Sequence, residues 1–168
     1  TTSSAATGTT GVTVVVPQDS QEISRAVTLR DRVSGAEAAF GDDSVLLTEK
    51  LASLYGVGPG DKIVLFDQDD VGNPRGSGHE LTVTGVVENY VGNLVYMGRE
   101  AWSEVDPSTP VFGTVYASTT CDEGLRQRIS ERLHDMTDVS TVIFSTETIA
   151  TYRDMLSVVD LIVVVLIV

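Results

Sequence analysis

The sequence predicts an α+β fold: a split β-α-β layer of the ferredoxin-like type with an inserted small antiparallel β-barrel-like lobe, ending in the start of a transmembrane helix. Short strand-like runs, separated by glycine and proline turns, occupy residues 45–106. Beyond them the pattern changes to strand, amphipathic helix and strand, which is typical of a β-α-β crossover. We therefore assign residues 12–44 and 107–154 to one α/β lobe and residues 45–106 to a small β-rich lobe.

The composition is that of a folded domain with an acidic surface. Of the 168 residues, 42% are hydrophobic and 21% are charged, and 24 acidic residues outnumber 11 basic ones, for a net charge of −13. Nucleic acids and anionic lipid headgroups are poor partners, because they bind clustered Lys and Arg, which this sequence lacks. The single cysteine, Cys121, excludes an intrachain disulfide and a zinc site built from cysteines.

The two ends differ in character from the rest of the sequence. Residues 1–11 are small and polar without apolar periodicity, which is typical of a linker. Residues 155–168 are apolar except for Ser157 and Asp160, and as a helix they would extend about 21 Å, against a hydrocarbon core of about 30 Å. We expect them to begin a transmembrane helix that is truncated here. A buried helix or a core strand is the alternative.

The first elements are short. Residues 12–16 form a candidate strand that Pro17 ends, and a weakly helical polar segment follows at residues 18–32. The clearest local unit comes next: after the apolar run at residues 44–47, Thr48 can cap a short helix that reaches Tyr55. Gly56 then offers the left-handed conformation that stops a helix.

The middle of the chain predicts paired strands. A strand at residues 62–66 leads into a polar hairpin at residues 67–78, which is longer than a tight turn. Residues 80–87 alternate apolar and polar side chains around a candidate bulge at Gly85, and another short strand follows at residues 94–97. Together these runs predict a small antiparallel barrel or twisted sheet.

The last part predicts a crossover and a second helix. Residues 111–117 and 141–144 are candidate strands on either side of a helix at residues 122–136. The apolar face of that helix has a spacing of four, four and three residues and consists of Leu125, Ile129, Leu133 and Met136. Ser145 or Thr146 can cap a final helix, in which no Gly or Pro occurs before Val168.

Motifs for chemistry are incomplete. The acidic run at residues 67–70 begins like a calcium loop, but Val71 and Gly78 occupy two positions that need oxygen ligands. His79 and His134 lie in no catalytic motif, and the glycines match no nucleotide-binding fingerprint. We therefore predict no catalytic residue, no metal site and no cofactor, and we expect a protein that is not an enzyme.

Three blocks of the sequence resemble one family. Residues 45–63, VLLTEKLASLYGVGPGDKI, resemble the block of strand, short helix, Gly-Val, Gly-Asp and strand in MacB-like periplasmic core domains of FtsX-like ABC transporter permeases. Residues 84–97, TGVVENYVGNLVYM, are similar to a second block of large permeases in this superfamily. Residues 152–156, YRDML, lead into the apolar end as such domains do where they rejoin the membrane.

The resemblance implies a non-catalytic domain on the extracytoplasmic side of the cell membrane, with a porter-like α/β lobe, in a dimeric transporter. A separate cytoplasmic ABC ATPase would drive it, and the final helix would act as a lever. Its target would be an extracellular protein, peptide or lipid, in export, lipid or peptide handling, or activation of a cell-wall enzyme. The alternative is a membrane-anchored ligand-binding or adhesion domain without an ATPase partner, and a secreted or anchored enzyme is the third hypothesis.

A candidate partner surface completes the predictions. Tyr90, Tyr96, Met97 and Trp102 fall between or beside the two predicted lobes, and large aromatic or sulfur-containing side chains are typical of binding surfaces. Packing in the core is the alternative for all four.

Overall fold

The computed structural model describes residues 8–89, 92–108, 112–117 and 122–144. The chain divides into two compact units, Thr1–Ser118 and Thr119–Val168, which we describe separately. Helices and strands occur together, so the predicted α+β class is confirmed. In chain order the elements are β1 (Thr13–Val15), α1 (Ile23–Ala26), β2 (Val45–Thr48), α2 (Glu49–Tyr55), β3 (Lys62–Gln68), β4 (Pro74–Thr82), β5 (Gly85–Val87), β6 (Leu94–Met97), α3 (Arg99–Ser103) and α4 (Glu123–His134).

A four-stranded mixed sheet forms the centre of the first unit, in the order β1-β6-β2-β5. Strand β6 runs parallel to β1 and antiparallel to β2, whereas β5 runs parallel to β2. Strand β2 is buried along its whole length, because it lies inside the sheet and both of its faces are covered. This explains its continuous apolar sequence.

The two faces of the sheet border two hydrophobic cores. Neighbouring residues of a strand point to opposite faces, so Leu47 enters the first core and Leu46 the second. The first core consists of Val45, Leu47, Leu51, Leu81, Val83, Val95, Met97 and Ala101. The second core consists of Ile23, Leu29, Leu46, Val87 and Tyr96.

The predicted unit of strand, short helix and glycine stop forms as expected. Helix α2 ends at Tyr55, and Gly56 adopts the left-handed conformation with φ of 64°. Thr48 occupies the N-cap position, but its side chain makes no capping hydrogen bond and its buried Oγ1 has no hydrogen-bond partner. The first turn is fixed instead from outside the helix, where the Arg32 Nε donates to Glu49 Oε2 at 2.7 Å.

The hairpin β3–β4 is a separate two-stranded sheet with a shorter loop than the sequence predicts. Asp67 pairs with Arg75 and Gln68 with Pro74, so part of the predicted polar loop at residues 67–78 belongs to the strands. The chain then leaves the hairpin, and the Thr84 amide donates to the Val45 carbonyl at 2.9 Å. The strands predicted to form one barrel or sheet are thus distributed between two sheets.

Gly85 is the first residue of β5 rather than a bulge, so this prediction was wrong. Its Cα packs so closely against β2 that an added Cβ would lie 2.8 Å from Leu46 Cδ2. The absence of a side chain therefore leaves room for the Leu46 side chain where β5 pairs in parallel with β2, with Gly85 opposite Leu46.

The four-stranded sheet also joins regions that the sequence analysis assigned to different lobes. Strand β1 comes from residues 12–44 and pairs with β6, which comes from residues 45–106, with Val14 opposite Val95. Of the predicted helical segment at residues 18–32, α1 alone forms a helix. Residues 112–117, predicted as part of a strand, adopt no strand in the structure.

In the second unit, the predicted helix is confirmed as α4. Asp122 caps it, since its Oδ1 accepts a hydrogen bond from the Leu125 amide at 2.7 Å. Residues 141–144, predicted as a strand, form none. The predicted final helix, with residues 155–168, lies outside the described residues. Within the described residues, no helix combines the length and apolarity needed to cross a membrane.

Candidate partner-binding groove

A broad groove with a volume of about 1130 Å³ runs along the outer edge of β1 in the first unit. We call it the β1 groove. Its walls come from β1 and the turn after it, from α1 and α3, and from residues 112–116. The lining residues are Thr13, Val14, Val15, Val16, Pro17, Gln18, Asp19, Glu22, Ile23, Ala26, Val27, Arg99, Trp102, Asp106, Ser108, Phe112, Gly113, Thr114, Val115 and Tyr116.

The position of β1 in the sheet creates this groove. The Thr13 amide donates to the Asn93 carbonyl at 2.8 Å, on the β6 side of the strand. Backbone groups alternate in direction along a strand, so the N–H and C=O of Val14 face the opposite side, which is the groove. Among the described residues, no strand pairs with that side of β1.

Trp102 forms the apolar part of the groove. It lies on α3, is partly buried, and packs against the first core together with Val14 and Val16. Helix α3 is held beside the sheet through its first turn, where the amides of Glu100 and Ala101 donate to the Asp42 carbonyl at 2.8 and 3.1 Å. An indole in this position offers a large, rigid contact area.

The charged residues that line the groove are mostly acidic. Asp19, Glu22 and Asp106 carry carboxylates, and Arg99 is the cation among the lining residues. The Arg99 Nη1 donates to the Gln18 carbonyl at 3.5 Å, which ties α3 to the turn after β1. Hydrogen bonds from the Ser108 side chain and from the Ser108 amide hold the pKa of Asp106 below its usual value. Glu22 is paired with Arg25 at 2.6 Å, so Asp19 and Asp106 are the carboxylates through which the rim favours a cationic group on a partner.

The outcome of the predicted partner surface differs among its four residues. Tyr90 lies outside the described residues. Tyr96 and Met97 are 4% and 0% exposed, because β6 lies between β1 and β2 with both faces covered, so the prediction of an exposed surface is wrong for them. Trp102 alone of the described three lines the groove.

The environment of Tyr96 explains why its prediction as a surface residue was wrong. Its ring packs in the second core, and burial raises the pKa of its phenol. Its Oη accepts a long hydrogen bond, 3.5 Å, from Asn89 Nδ2, and Tyr116 lies close enough to raise the same pKa slightly further. The phenol is a buried group with a local polar partner rather than a contact for another protein.

In the acidic hairpin loop, the Asp69 carboxylate binds amide groups of the loop itself. Asp69 Oδ1 accepts hydrogen bonds from the amides of Asn73 at 2.8 Å and Val71 at 3.1 Å, and Oδ2 accepts one from Asn73 Nδ2. These bonds lower the pKa of Asp69, with the bond from the Asn73 amide contributing most. In the part of the chain that the structure describes, no cluster of His, Cys, Asp or Glu could hold a metal ion.

A second, smaller cavity of about 400 Å³ lies beneath the β3–β4 hairpin. Its lining is mainly apolar and includes Leu47, Leu51 and Ile63, which belong to or pack against the first core. The segment at residues 8–12 covers one side, and the Asn93 Nδ2 fixes it by donating to the Gly11 carbonyl at 3.2 Å. Because its walls are core side chains, we regard it as a packing space between the hairpin and the sheet.

Most of the β1 groove was missed by the sequence analysis. Arg99, Asp106 and residues 112–116 come together through the pairing of β1 with β6, a contact between strands about 80 residues apart that no local pattern reveals. The one usable signal was the apolar run at residues 12–16 followed by Pro17. An apolar strand that is bounded by proline and placed early in the chain is a candidate for the edge of a sheet.

Comparison of the chain with protein-family models, with curated proteins and with solved structures found no match. The similarity to FtsX-like permeases therefore rests on the three sequence blocks described above, and the function is argued from those blocks and from the groove.

Proposed function

We propose that this chain is the extracytoplasmic domain of an ABC transporter permease of the FtsX/MacB type. In this proposal a cytoplasmic ATPase subunit drives a conformational change, and the domain transmits it to an extracellular protein, peptide or lipid. The domain itself has no catalytic role. It lies on the outer side of the cell membrane in a dimeric transporter, and the finer architecture of a porter-like β-α-β layer with a barrel-like lobe is part of the same proposal.

The observation that carries the proposal is where the first two sequence blocks lie. Residues 45–63 supply β2, α2 and the start of β3, while residues 84–97 supply β5 and β6. Strands β5 and β6 are the two neighbours of β2, so these blocks together supply three of the four strands of the mixed sheet, with β5 at its edge. The residues that carry the resemblance thus form a rigid core, as a domain that acts by movement requires.

The β1 groove gives this domain a surface on which to act. It combines an apolar side chain, Trp102, with carboxylates at Asp19 and Asp106. Aromatic side chains at the centre of a binding surface provide much of the affinity, whereas rim charges select and orient the partner. An extracellular partner with a cationic and apolar contact segment fits this arrangement.

The lever is the predicted helix that continues into the membrane. An unbroken helix transmits a tilt or a shift, because its backbone hydrogen bonds resist bending. Inserting Gly-Gly-Pro at Asp154 should therefore uncouple the domain from ATP hydrolysis without unfolding it. The full-length protein would be reconstituted with its ATPase, with a fluorophore at Val71→Cys on the exposed hairpin loop and a quencher in the lipid headgroups.

The expected result is an ATP-dependent change in quenching that the insertion at Asp154 abolishes while ATP hydrolysis continues. The matched control places the same three residues after Ala6, in the predicted linker, where coupling should persist. An ATP-dependent change that survives the insertion at Asp154 would disprove the lever.

Purification of the full-length protein from its native membranes distinguishes the two main hypotheses. A permease should retain an ABC ATPase in a fixed ratio, which mass spectrometry of the purified complex would detect. A membrane-anchored adhesion or ligand-binding domain should retain none. Recovery of the full-length protein without any ATPase, from membranes in which the ATPase is expressed, contradicts the permease proposal.

A further inference from the structure

Residues 112–117 lie beside the outer edge of β1, which is unpaired in the described part of the chain, but they do not pair with it. The outer side of β1 presents the N–H and C=O of Val14 to the groove, and residues 112–116 line the groove as well. An unpaired edge in a folded protein is normally short, charged, or covered by another segment. Strand β1 is itself short, with three residues, but it carries no charge, and a covering segment would pair the Val14 backbone groups that face the groove.

The segment itself has the composition of a strand and the exposure of a loop. Its sequence is Phe-Gly-Thr-Val-Tyr-Ala, rich in the β-branched and aromatic residues that strands favour. All six residues are exposed, Val115 to 91%. Within the part of the chain that the structure describes, none of the six takes part in a hydrogen bond. Such an apolar segment gains little from staying in solvent.

We propose that residues 112–117 close reversibly onto the outer edge of β1 as a fifth strand, and that the structure shows the open state of this strap. Closure replaces solvated backbone groups of Val14 and of the strap by strand hydrogen bonds and removes Val115 from water. The loss of chain entropy on ordering six residues opposes it. This closure depends on the fold of the first unit alone, so the proposal does not require the protein to be a permease.

We assign the strand edge of β1 to this segment for two reasons, and the partner proposed above would bind the groove in its open state. The strap already borders the groove, so its local concentration at the edge is far higher than that of a separate molecule. It also has the apolar side chains that the floor of the groove can accept, because Trp102 and Val14 lie there, partly buried.

The structure also predicts which strap residues turn to which side of the sheet. In the closed state Val115, the most exposed large apolar side chain of the strap, should pack beside Val14 and Trp102, which lie against the first core. Alternate residues of a strand share a face, so Gly113, Val115 and Ala117 should face the first core, beside Val14. Phe112, Thr114 and Tyr116 should then face the second core.

Disulfide trapping tests this alternation. In the 168-residue chain, with Cys121→Ser removing the native thiol, Val14→Cys is combined with a cysteine at one strap position at a time. A disulfide needs Cα atoms about 4.4 to 6.8 Å apart and side chains on the same face. We expect intramolecular disulfides for at least one of Gly113→Cys, Val115→Cys and Ala117→Cys, formed at least about tenfold faster than with the matched controls Phe112→Cys and Thr114→Cys.

Three outcomes would overturn the proposal. No intramolecular disulfide at any position means that the strap does not reach β1. Equal rates at all positions mean random collisions of a mobile segment rather than a docked strand. Disulfides exclusively between molecules mean that a second copy of the chain, not the strap, covers the edge.

Amide exchange gives a second readout that needs no cysteine. Proline lacks an amide hydrogen, and backbone amides point alternately towards and away from β1, so one of Thr114→Pro and Val115→Pro must remove a hydrogen bond to that strand. In that variant the Val14 amide should exchange at least about fivefold faster. In Thr114→Ala and Val115→Ala its exchange rate should stay close to that in the unmodified protein. Unchanged Val14 exchange in both proline variants overturns the proposal.

Discussion

Among the described glycines of the first unit, Gly98 leaves the least room for a side chain. It precedes α3, and its amide donates to the Ser44 carbonyl at 2.8 Å. A Cβ built at this position would lie 2.2 Å from the backbone oxygens of both Gly41 and Asp42. Backbone atoms cannot rotate away as a flexible side chain can, so any side chain here must displace α3 or the loop before β2.

We therefore expect Gly98→Ala to destabilise the protein by about 3 kcal/mol, at the upper end of the cost of overpacking. Gly58→Ala is the matched control, because its backbone φ is not in the left-handed region and nothing lies within 4 Å of its added Cβ. Urea unfolding followed by circular dichroism measures both free energies. A loss below about 0.5 kcal/mol for Gly98→Ala would show that the loop and α3 are not packed as described.

At the scale of the element, the loop of the β3–β4 hairpin is closed by the carboxylate of Asp69. Asp69 accepts hydrogen bonds from Val71 and Asn73 and so fixes the loop, and these bonds lower its pKa. A carboxyl with a lowered folded-state pKa contributes stability above its unfolded pKa of about 4, and this stability is lost as the pH falls through the folded-state value.

Asp69→Asn should consequently destabilise the hairpin near neutral pH, and the difference from the unmodified protein should shrink as the pH falls from about 5 to about 2. Asp70→Asn removes the same charge without removing the bonds to Val71 and Asn73, so it serves as the control. Exchange of the β3 and β4 amides at several pH values reports the effect locally. A difference that stays constant over this pH range would contradict the role of the Asp69 carboxylate.

Local signals explain which elements could be predicted from the sequence. The helix α2 with Gly56, the helix α4, and strands β1, β3 and β6 were all expected close to where they lie. Each depends on residues within a few positions, such as the glycine that stops α2. The class α+β follows from these elements, and the structure bears it out.

Non-local contacts explain what could not be predicted. The transfer of the chain from the hairpin to the other sheet depends on the Thr84 amide meeting the Val45 carbonyl, about 40 residues earlier. The β1 groove depends on the pairing of β1 with β6, which lie about 80 residues apart, so of its residues Trp102 alone was predicted to belong to a partner surface. Local sequence does not show which strands flank β6, and so Tyr96 and Met97 were wrongly predicted to lie on a surface.

At the scale of the first unit, β2 connects the two hydrophobic cores. No local pattern in the sequence predicts this connection. Leu46 packs in the core with Ile23, and Leu47 packs in the core with Leu81 of the hairpin. Because both residues belong to one strand inside the sheet, loss of either core should unfold β2 and with it the other core. The unit should then unfold in a single transition.

Leu46→Ala and Leu47→Ala test this coupling as a matched pair, since they remove the same side chain from opposite faces of one strand. Each should cost about 2 to 5 kcal/mol, the usual range for a buried leucine. In both variants exchange of the hairpin amides in β3 and β4 should accelerate, although Leu46 belongs to the core that the hairpin does not enter. Faster hairpin exchange in Leu47→Ala alone would mean that the two cores unfold independently, as separate lobes do, and that β2 does not couple them.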